Sequence, residues 1–372
     1  MKIIHLILGK ANPLRMNGVN KVVNNLATTQ AQLGHEVEVW GIATNLELNY
    51  PERNYVTRLF LAPSFPWGLP SELKQRLTAM KDPCVVHIHG GFIPRFFVAS
   101  KLLDRLKIPY VLTPHGAYND KAMEKSKWVK KVYFQLFERR LIEHAQSLHV
   151  IGKSEWNTLQ QRELHPNGVL IPNGQILPQN QKDYKLKNRK HPVFTFCGRI
   201  DIETKGLDIL LQAFELFTRQ GLQAELWIIG DGAELPKLKE LAQSLGLDHR
   251  VTFHGMQTGD AKNQLLLESD VFFHPSRNEG LPGAVLEAAG FGVPCVVSQE
   301  SNMADYINQF KAGAGLHNNN SKNLAQSMKQ MQDHFANGSL EKLGENARQM
   351  VRKAFDWSSI SEQLFQVYRA AL

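Results

Sequence analysis

Short β-rich runs alternate with longer stretches of helical period along almost the whole chain, and the alternation runs through twice. In the first half, Ile3 to Leu8, Val37 to Trp40, Val85 to Ile88, Tyr110 to Thr113 and Leu148 to Ile151 read as strands. Helical patterns begin near Val19, Ile93, Lys121 and Ser154. Strands separated by helices predict a parallel, doubly wound α/β sheet. The pattern breaks around Pro172-Asn173-Gly174, and residues 175–191 are polar with no apolar period, the composition of a hinge. It then restarts, with strands at Val193 to Cys197, Ala224 to Ile229, Val251 to Phe253, Val271 to Phe273 and Cys295 to Val297. Helical patterns follow Gly206, Glu234, Gly259 and Gly283. The predicted architecture is therefore a first domain over 1–174, a linker over 175–191 and a second domain over 192–356. Open parallel sheets bind ligands at the carboxyl ends of their strands, so two of them facing across a cleft would hold two reactants there. Residues 357–372 read as one more amphipathic helix, opened by Ser358 or Ser359 and able to pack back on the first domain.

A chain of 372 residues, 43% hydrophobic, can bury two cores. Its opening apolar stretch is short, contains His5 and ends in Gly9-Lys10 without a small-residue cleavage site, so it reads as a buried strand rather than a signal peptide. No run approaches the roughly 18 apolar residues of a membrane span, and a cytoplasmic location is expected. Cys84, Cys197 and Cys295 sit in apolar strand-like runs as small buried hydrophobes, with neither zinc-ligand spacing nor a disulfide framework.

The net charge of +8 is unevenly placed: residues 1–180 hold 22 Lys and Arg against 13 Asp and Glu, and the remainder is nearly neutral. Within the first half, residues 121–140 carry seven cations beside Trp128, Tyr133, Phe134, Leu136 and Phe137. One reading is an amphipathic helix with its apolar face in the core and its cations in water. The other is that the cationic face also meets an anionic membrane surface, which would make the protein peripheral on the inner face of a membrane. No motif for RNA or DNA accompanies the patch, and a nucleic-acid partner is not expected.

The segment His274 to Ser298 carries the most chemistry. A strand ending at Phe273 leads into the turn Gly280-Leu281-Pro282-Gly283, and a helix then starts and carries Glu287 on its first turns. Free amides at a glycine-rich helix start suit an anion such as a diphosphate. Glu279 and Glu287 flank that turn with seven residues between them. Carboxylates touching a phosphate would be repelled, so they are better placed to accept hydrogen bonds from hydroxyl groups.

The Glu-x7-Glu string, preceded by Pro275-Ser276 and followed by Gly292-Val293-Pro294, resembles the signature of family 4 of the retaining glycosyltransferases, which have the GT-B fold of two Rossmann-like domains. Gly198-Arg199-Ile200 followed by Lys205-Gly206-Leu207-Asp208 resembles that family's phosphate-clamping loop. Thr113-Pro114-His115-Gly116 resembles its first-domain His-Gly loop, and Gly34-His35-Glu36-Val37 its second-strand entry. The four matches fall in the family's order and span nearly the whole chain. They imply a retaining transferase that moves a sugar, a hexose by expectation, from a nucleotide diphosphate donor to a saccharide or lipid-linked acceptor in polysaccharide or glycolipid synthesis. On family frequency a UDP-sugar is favoured over a GDP-sugar.

By the same resemblance, Arg199 and Lys205 would stabilise the charge that builds on the leaving diphosphate, since fixed cations there favour the transition state over the ground state. Glu287 would bind the ribose hydroxyls and Glu279 those of the donor sugar. Gly280 and Leu281 would offer amides to the phosphates, and His115 would contact the transferred sugar from the first domain. Gly18 stands where the family usually has a Gly-Gly pair, with Asn17 replacing one glycine, so its contact with the donor is less defined. Gly230 in Gly230-Asp231-Gly232 and Met256 in His254-Gly255-Met256 follow strands of the second domain, where a nucleobase can be held by backbone atoms, or they form plain turns.

His87 and His89 lie two apart on one strand face, as a metal pair would, but no carboxylate or cysteine motif stands beside them, and they read as strand-end polar contacts near the cleft. The chain contains no Asp-x-Asp, the usual device for holding a divalent ion against a diphosphate, so no metal and no cofactor is expected. Two alternatives share the architecture. An isomerase such as a nucleotide-sugar 2-epimerase would need further proton-transfer groups beyond those assigned; a catalytically silent nucleotide-sugar-binding protein would keep the fold, and the presence of Arg199, Lys205, Glu279 and Glu287 together argues against it without deciding the matter.

Overall fold

The structure is a computed structural model and describes residues 1–13, 18–48, 50–124, 127–164, 167–180 and 189–372. It divides into two compact units, Met1–Gly174 with Trp357–Leu372, and Gln175–Asp356. Residues 181–188 of the expected hinge lie outside the described residues. The part just before them is no free linker: Leu177 packs on the core of the second unit, and Arg348 donates to the Pro178 carbonyl at 2.9 Å.

The first unit holds β1 (Lys2–Leu8), β2 (Glu36–Ala43), β3 (Val56–Leu61), β4 (Cys84–His89), β5 (Tyr110–Thr113), β6 (Ser147–Val150) and β7 (Gly168–Leu170). They form one sheet in the order β3-β2-β1-β4-β5-β6-β7, every neighbouring pair parallel. Strand alternation sends Ile4, Leu6, Val86, Ile88 and Leu112 into the larger core on one face. On the other face, Ile3, Val85 and Val111 pack under the last helix, Trp357–Ala371, through Trp357, Ile360, Leu364 and Tyr368. That helix starts at Trp357, so Ser358 and Ser359 lie inside it rather than opening it. Gly174 faces the Trp357 ring so closely that a Cβ there would come within 2.4 Å of it.

The second unit holds β8 (Val193–Cys197), β9 (Glu225–Ile229), β10 (Val251–Gly255), β11 (Val271–His274), β12 (Cys295–Ser298) and β13 (Gly313–Leu316), in the parallel order β10-β9-β8-β11-β12-β13. Both sheets thus reverse their winding direction once, between β1 and β4 and between β8 and β11. Ligands of doubly wound sheets bind beyond the carboxyl ends of the strands at such reversals.

The expected single helix over 121–140 is instead a series of short pieces: Asp120–Glu124, Lys127–Tyr133, a π-helical turn Phe134–Glu138, and Arg139–Glu143. Residues 125 and 126 and the side chain of Lys127 lie outside the described residues. The wide turn brings Phe134 and Glu138 into the core, where the Glu138 carboxylate accepts from the Tyr118 hydroxyl. Trp128, Val129, Val132 and Leu136 remain on the surface, Trp128 with 76% of its area exposed.

Candidate active site

In the second unit, β8 and β11 are neighbours at the winding reversal, and the loops that leave them supply the chemistry. Lys205 ends the short helix Ile202–Lys205 after β8, and its ammonium pairs with Glu279 in the loop after β11. Both side chains are mostly buried. Glu279 also accepts from His274 Nε2 at 2.9 Å and from the Ser276 hydroxyl at 3.3 Å. Burial by itself pushes this carboxyl up, but the His274 hydrogen bond and the Lys205 charge outweigh it and hold Glu279 at about 2. It is therefore a fixed carboxylate, able only to accept. His274 Nδ1 is buried with no hydrogen-bond partner among the described residues, and burial lowers the ring's pKa, so His274 is neutral with its one proton on Nε2.

The two loops are fastened together. Arg277 forks onto the Asp208 carboxylate at 2.8 and 2.6 Å and donates to the Glu203 carbonyl, while its own amide donates to the Thr204 carbonyl. The Ser276 hydroxyl donates to the same Thr204 carbonyl at 2.8 Å. Gly206 makes this approach feasible: its φ is +64°, and a Cβ there would stand 2.0 Å from the Pro275 carbonyl oxygen. On the far side, Asn302 donates its side-chain amide to the carbonyls of Glu279 and Gly280, both at 2.8 Å, and so fixes the turn before the helix Gly283–Gly290. The amides of Gly283 and Ala284, first in that helix, have no intrahelical acceptor. The sequence reading passed over Arg277 and Asn302.

The remaining predicted residues are more dispersed. Glu287 lies in the second turn of its helix, within the first turns as expected, and is held by Lys262 at 2.5 Å, so each carboxylate of the Glu-x7-Glu string has its own lysine. Arg199 is exposed and pairs with Asp201 at 3.3 Å, and no hydrogen bond or ion pair joins it to Lys205 and Glu279. Gly230 is a close-packing glycine: a Cβ there would come within 1.8 Å of the Gly198 carbonyl oxygen, so it seats the Arg199 loop. Met256 is exposed just after β10, and Leu281 is partly buried beside the turn.

In the first unit, His115 and Gly116 follow β5 with φ of +56° and +82°. Glu155, in the helix Lys153–Gln161, holds this unusual loop by accepting from the amides of Gly116 at 3.0 Å and Tyr118 at 2.9 Å. Burial raises the Glu155 carboxyl to about 7 against those two donors. Glu155 too was missed, although an acidic residue in a helix's first turn was visible. Gly18 is the first residue of the helix Gly18–Gln32, and Met16 and Asn17 before it lie outside the described residues.

His87 and His89 lie in the last three residues of β4 and make polar contacts, as expected. Both are buried in β4, and their ligand atoms lie with one of His5 within 4.8 Å of one another, the grouping a metal centre would need. Every ring nitrogen of the three is engaged in a protein hydrogen bond. β1 lies beside β4 in the sheet, with His5 opposite His87, so β1 carries a third histidine to the pair.

Two family models match the chain, glycosyltransferase family 4 over residues 16–175 and glycosyl transferases group 1 over residues 178–350. An uncharacterized glycosyltransferase of Methanocaldococcus jannaschii is 25% identical over 394 residues, covering 99% of this chain and 98% of the relative. The putative colanic acid biosynthesis glycosyltransferase WcaL of Salmonella typhimurium is 27% identical over 168 residues, 44% of this chain and 41% of the relative. Among solved structures, Anabaena HepE in complex with UDP and glucose superposes with a TM-score of 0.77 at 16% identity, covering all of both chains. Two doubly wound domains and these matches define a glycosyltransferase. The chain is a glycosyltransferase of the GT-B fold whose first half matches the family 4 model and whose second half matches the group 1 model.

Proposed function

We propose that the protein transfers a sugar, with retention of anomeric configuration and without a metal ion, from a UDP-sugar to a saccharide or lipid-linked acceptor in cell-surface polysaccharide synthesis. The observation that carries this reading is the Lys205–Glu279–His274 cluster at the winding reversal of the second sheet, beside the free amides of a helix start. A diphosphate laid along the Gly280-Leu281 turn meets those amides and the Lys205 ammonium, and Arg199 swings from Asp201 to add a second cation. Charge on the leaving oxygen is then met by protein cations in place of a divalent ion. Glu279, held ionised, accepts from hydroxyls of the donor sugar, Glu287 accepts from the ribose, and His115 meets the transferred sugar. Met256 and Gly230 flank the base. Support for UDP comes from the nucleotide bound to HepE, and support for a polysaccharide product from WcaL, a putative colanic acid biosynthesis glycosyltransferase.

No helix among the described residues is long and apolar enough to cross a membrane. We place the protein on the cytoplasmic face, touching anionic lipid through the segment around Trp128. There Trp128, Val129, Val132 and Leu136 recur at helical spacing and are all exposed, flanked by exposed Lys131 and Arg140. The test is release of nucleoside diphosphate from a panel of UDP- and GDP-sugars, with and without excess chelator, followed by anomeric analysis of the product. Turnover with a UDP-sugar in chelator and a retained anomer are expected. Activity restored only by Mg²⁺ or Mn²⁺ contradicts the metal-free reading, and an inverted product contradicts retention.

A further inference from the structure

Five histidines of the first unit, His5, His87, His89, His115 and His149, are joined into one line of hydrogen bonds, and the line has a direction. It is anchored where His149 Nε2 meets the Ile171 carbonyl at 2.8 Å. A carbonyl only accepts, so His149 carries its proton on Nε2, and in a neutral ring Nδ1 must then accept. The Thr113 hydroxyl, 2.7 Å away, donates to that Nδ1. Thr113 oxygen then accepts from His87 Nε2 at 2.6 Å, which leaves His87 Nδ1 to accept from the Tyr368 hydroxyl at 2.7 Å. With its proton spent, the Tyr368 oxygen accepts from the Gln30 amide at 3.4 Å, and this turns the Gln30 carbonyl oxygen toward His5 Nε2, 2.8 Å away. His5 therefore donates from Nε2 and accepts at Nδ1 from His89 Nε2 at 2.9 Å, and His89 Nδ1 accepts from His115 Nε2 at 3.1 Å.

All five rings come out with the proton on Nε2. The neutral state that this logic requires is imposed by burial, which lowers the pKa of every one of them. The partners come from β1, β4, β5, β6 and two helices, including the C-terminal one through Tyr368. At the end of the line His115 is partly exposed, and its Nδ1 makes no hydrogen bond to a described residue.

We propose that this wire fixes His115 as the Nε2–H tautomer, so that Nδ1 is presented as an acceptor to a substrate hydroxyl, with Thr113 and Tyr368 as remote positioning residues. The substrate half of the proposal rests on the assignment of His115 to the transferred sugar; the tautomer half does not. Reversal of any one bond would set donor against donor or lone pair against lone pair in a buried site, and reversal of the whole line would set the His149 Nε2 lone pair against the Ile171 carbonyl, so the line keeps one direction.

The test is side-chain ¹⁵N NMR of the histidines in the full-length protein, where protonated and unprotonated ring nitrogens have separate shifts. In the wild type all five are expected as Nε2–H, unchanged by chelator. Tyr368→Phe cuts the line between Gln30 and His87 and frees the Gln30 amide to turn. His5, His89 and His115 should then become tautomer mixtures, while His149 stays pinned by the Ile171 carbonyl. Thr113→Val cuts the line at a different strand, between His149 and His87, so His87 should join His5, His89 and His115 as a tautomer mixture, whereas in Tyr368→Phe it stays Nε2–H on Thr113; loss of local packing would not give that difference. With about half the molecules in the competent tautomer, kcat/KM should fall about twofold in each variant. Any of the five found as Nδ1–H in the wild type overturns the wire, as does a chelator-dependent spectrum, which would mark a metal bound by His5, His87 and His89. So does a His115 that remains wholly Nε2–H in both variants. If the spectra are as expected but His115→Ala transfers sugar at the wild-type rate, the sugar assignment alone fails.

Discussion

Arg277 shows how a residue outside the reacting cluster can govern it. Its planar fork takes both oxygens of Asp208, and its backbone and side chain together reach two carbonyls of the Lys205 loop, so the distance between Lys205 and Glu279 depends on it. A lysine cannot reproduce that fork. Arg277→Lys is expected to lower kcat/KM about tenfold, in line with a misplacement of order 1 Å at a reacting site. Because the pair is partly exposed, the melting temperature should move by no more than a few degrees. Steady-state kinetics beside a thermal melt check this, and wild-type kinetics would show that the loops hold without the fork. Lys205, Glu279 and Glu287 were legible in the sequence because their residue types and spacing carry the chemistry themselves. Arg277, Asn302 and Glu155 were not, because their partners are backbone carbonyls and amides, or a carboxylate far away in the chain, and no local pattern marks those.

Among the elements, the central strands and the edge strand β10 were readable, and the other three edge strands were not. β4 and β5 are buried at every residue and appear as apolar runs. β3, Val-Thr-Arg-Leu-Phe-Leu, is interrupted by a charged residue and has only one buried side chain, β7 spans three residues, and β13 reads Gly-Ala-Gly-Leu, so none presents a long apolar run. Gly313 belongs in β13 for a reason invisible in one dimension: a Cβ there would stand 2.0 Å from the Cys295 carbonyl oxygen. The segment around Trp128 was read as one helix with its apolar side inward; the π turn instead leaves an apolar stripe outside. If that stripe enters lipid, Trp128→Glu with Lys131→Gln should weaken binding to anionic vesicles at least tenfold, since each surface cation contributes about 1 kcal/mol and apolar area adds to it. Sedimentation with vesicles over a salt series measures this. Equal binding by the double variant and the wild type would leave the stripe as plain solvated surface.

For the whole molecule, the buried histidines make folding sensitive to acid. An unfolded histidine takes up its proton near 6.5, whereas burial holds His5 and His149 down to about 4 and His115 to about 3, with His87 and His89 lower than ordinary as well. Between those limits the unfolded chain binds more protons, so stability falls as pH falls. Glu138 and Glu155 act the other way, because burial raises each to about 7 and the folded state then keeps protons that the unfolded state releases above about 4.5. Five groups outnumber two, and each proton of difference is worth about 1.4 kcal/mol per pH unit. The melting temperature is expected to drop from pH 6.5 to 4.5, and a flat or rising profile would show that the histidines are not held neutral by the fold.

At this scale the two-domain plan was legible from the repeated alternation, and the doubly wound class followed from it. The C-terminal helix's place on the first unit was not, since amphipathic spacing shows that a helix has a buried face but not which sheet receives it. The central claim is that the second unit clamps a diphosphate with protein cations, and turnover of Lys205→Ala and Arg199→Ala on the best UDP-sugar tests it most directly. Each variant should melt near the wild-type temperature yet lose on the order of 10²-fold in kcat, the cost of one preorganised electrostatic contact. Near-normal kcat in both, with folding intact, would contradict the clamp.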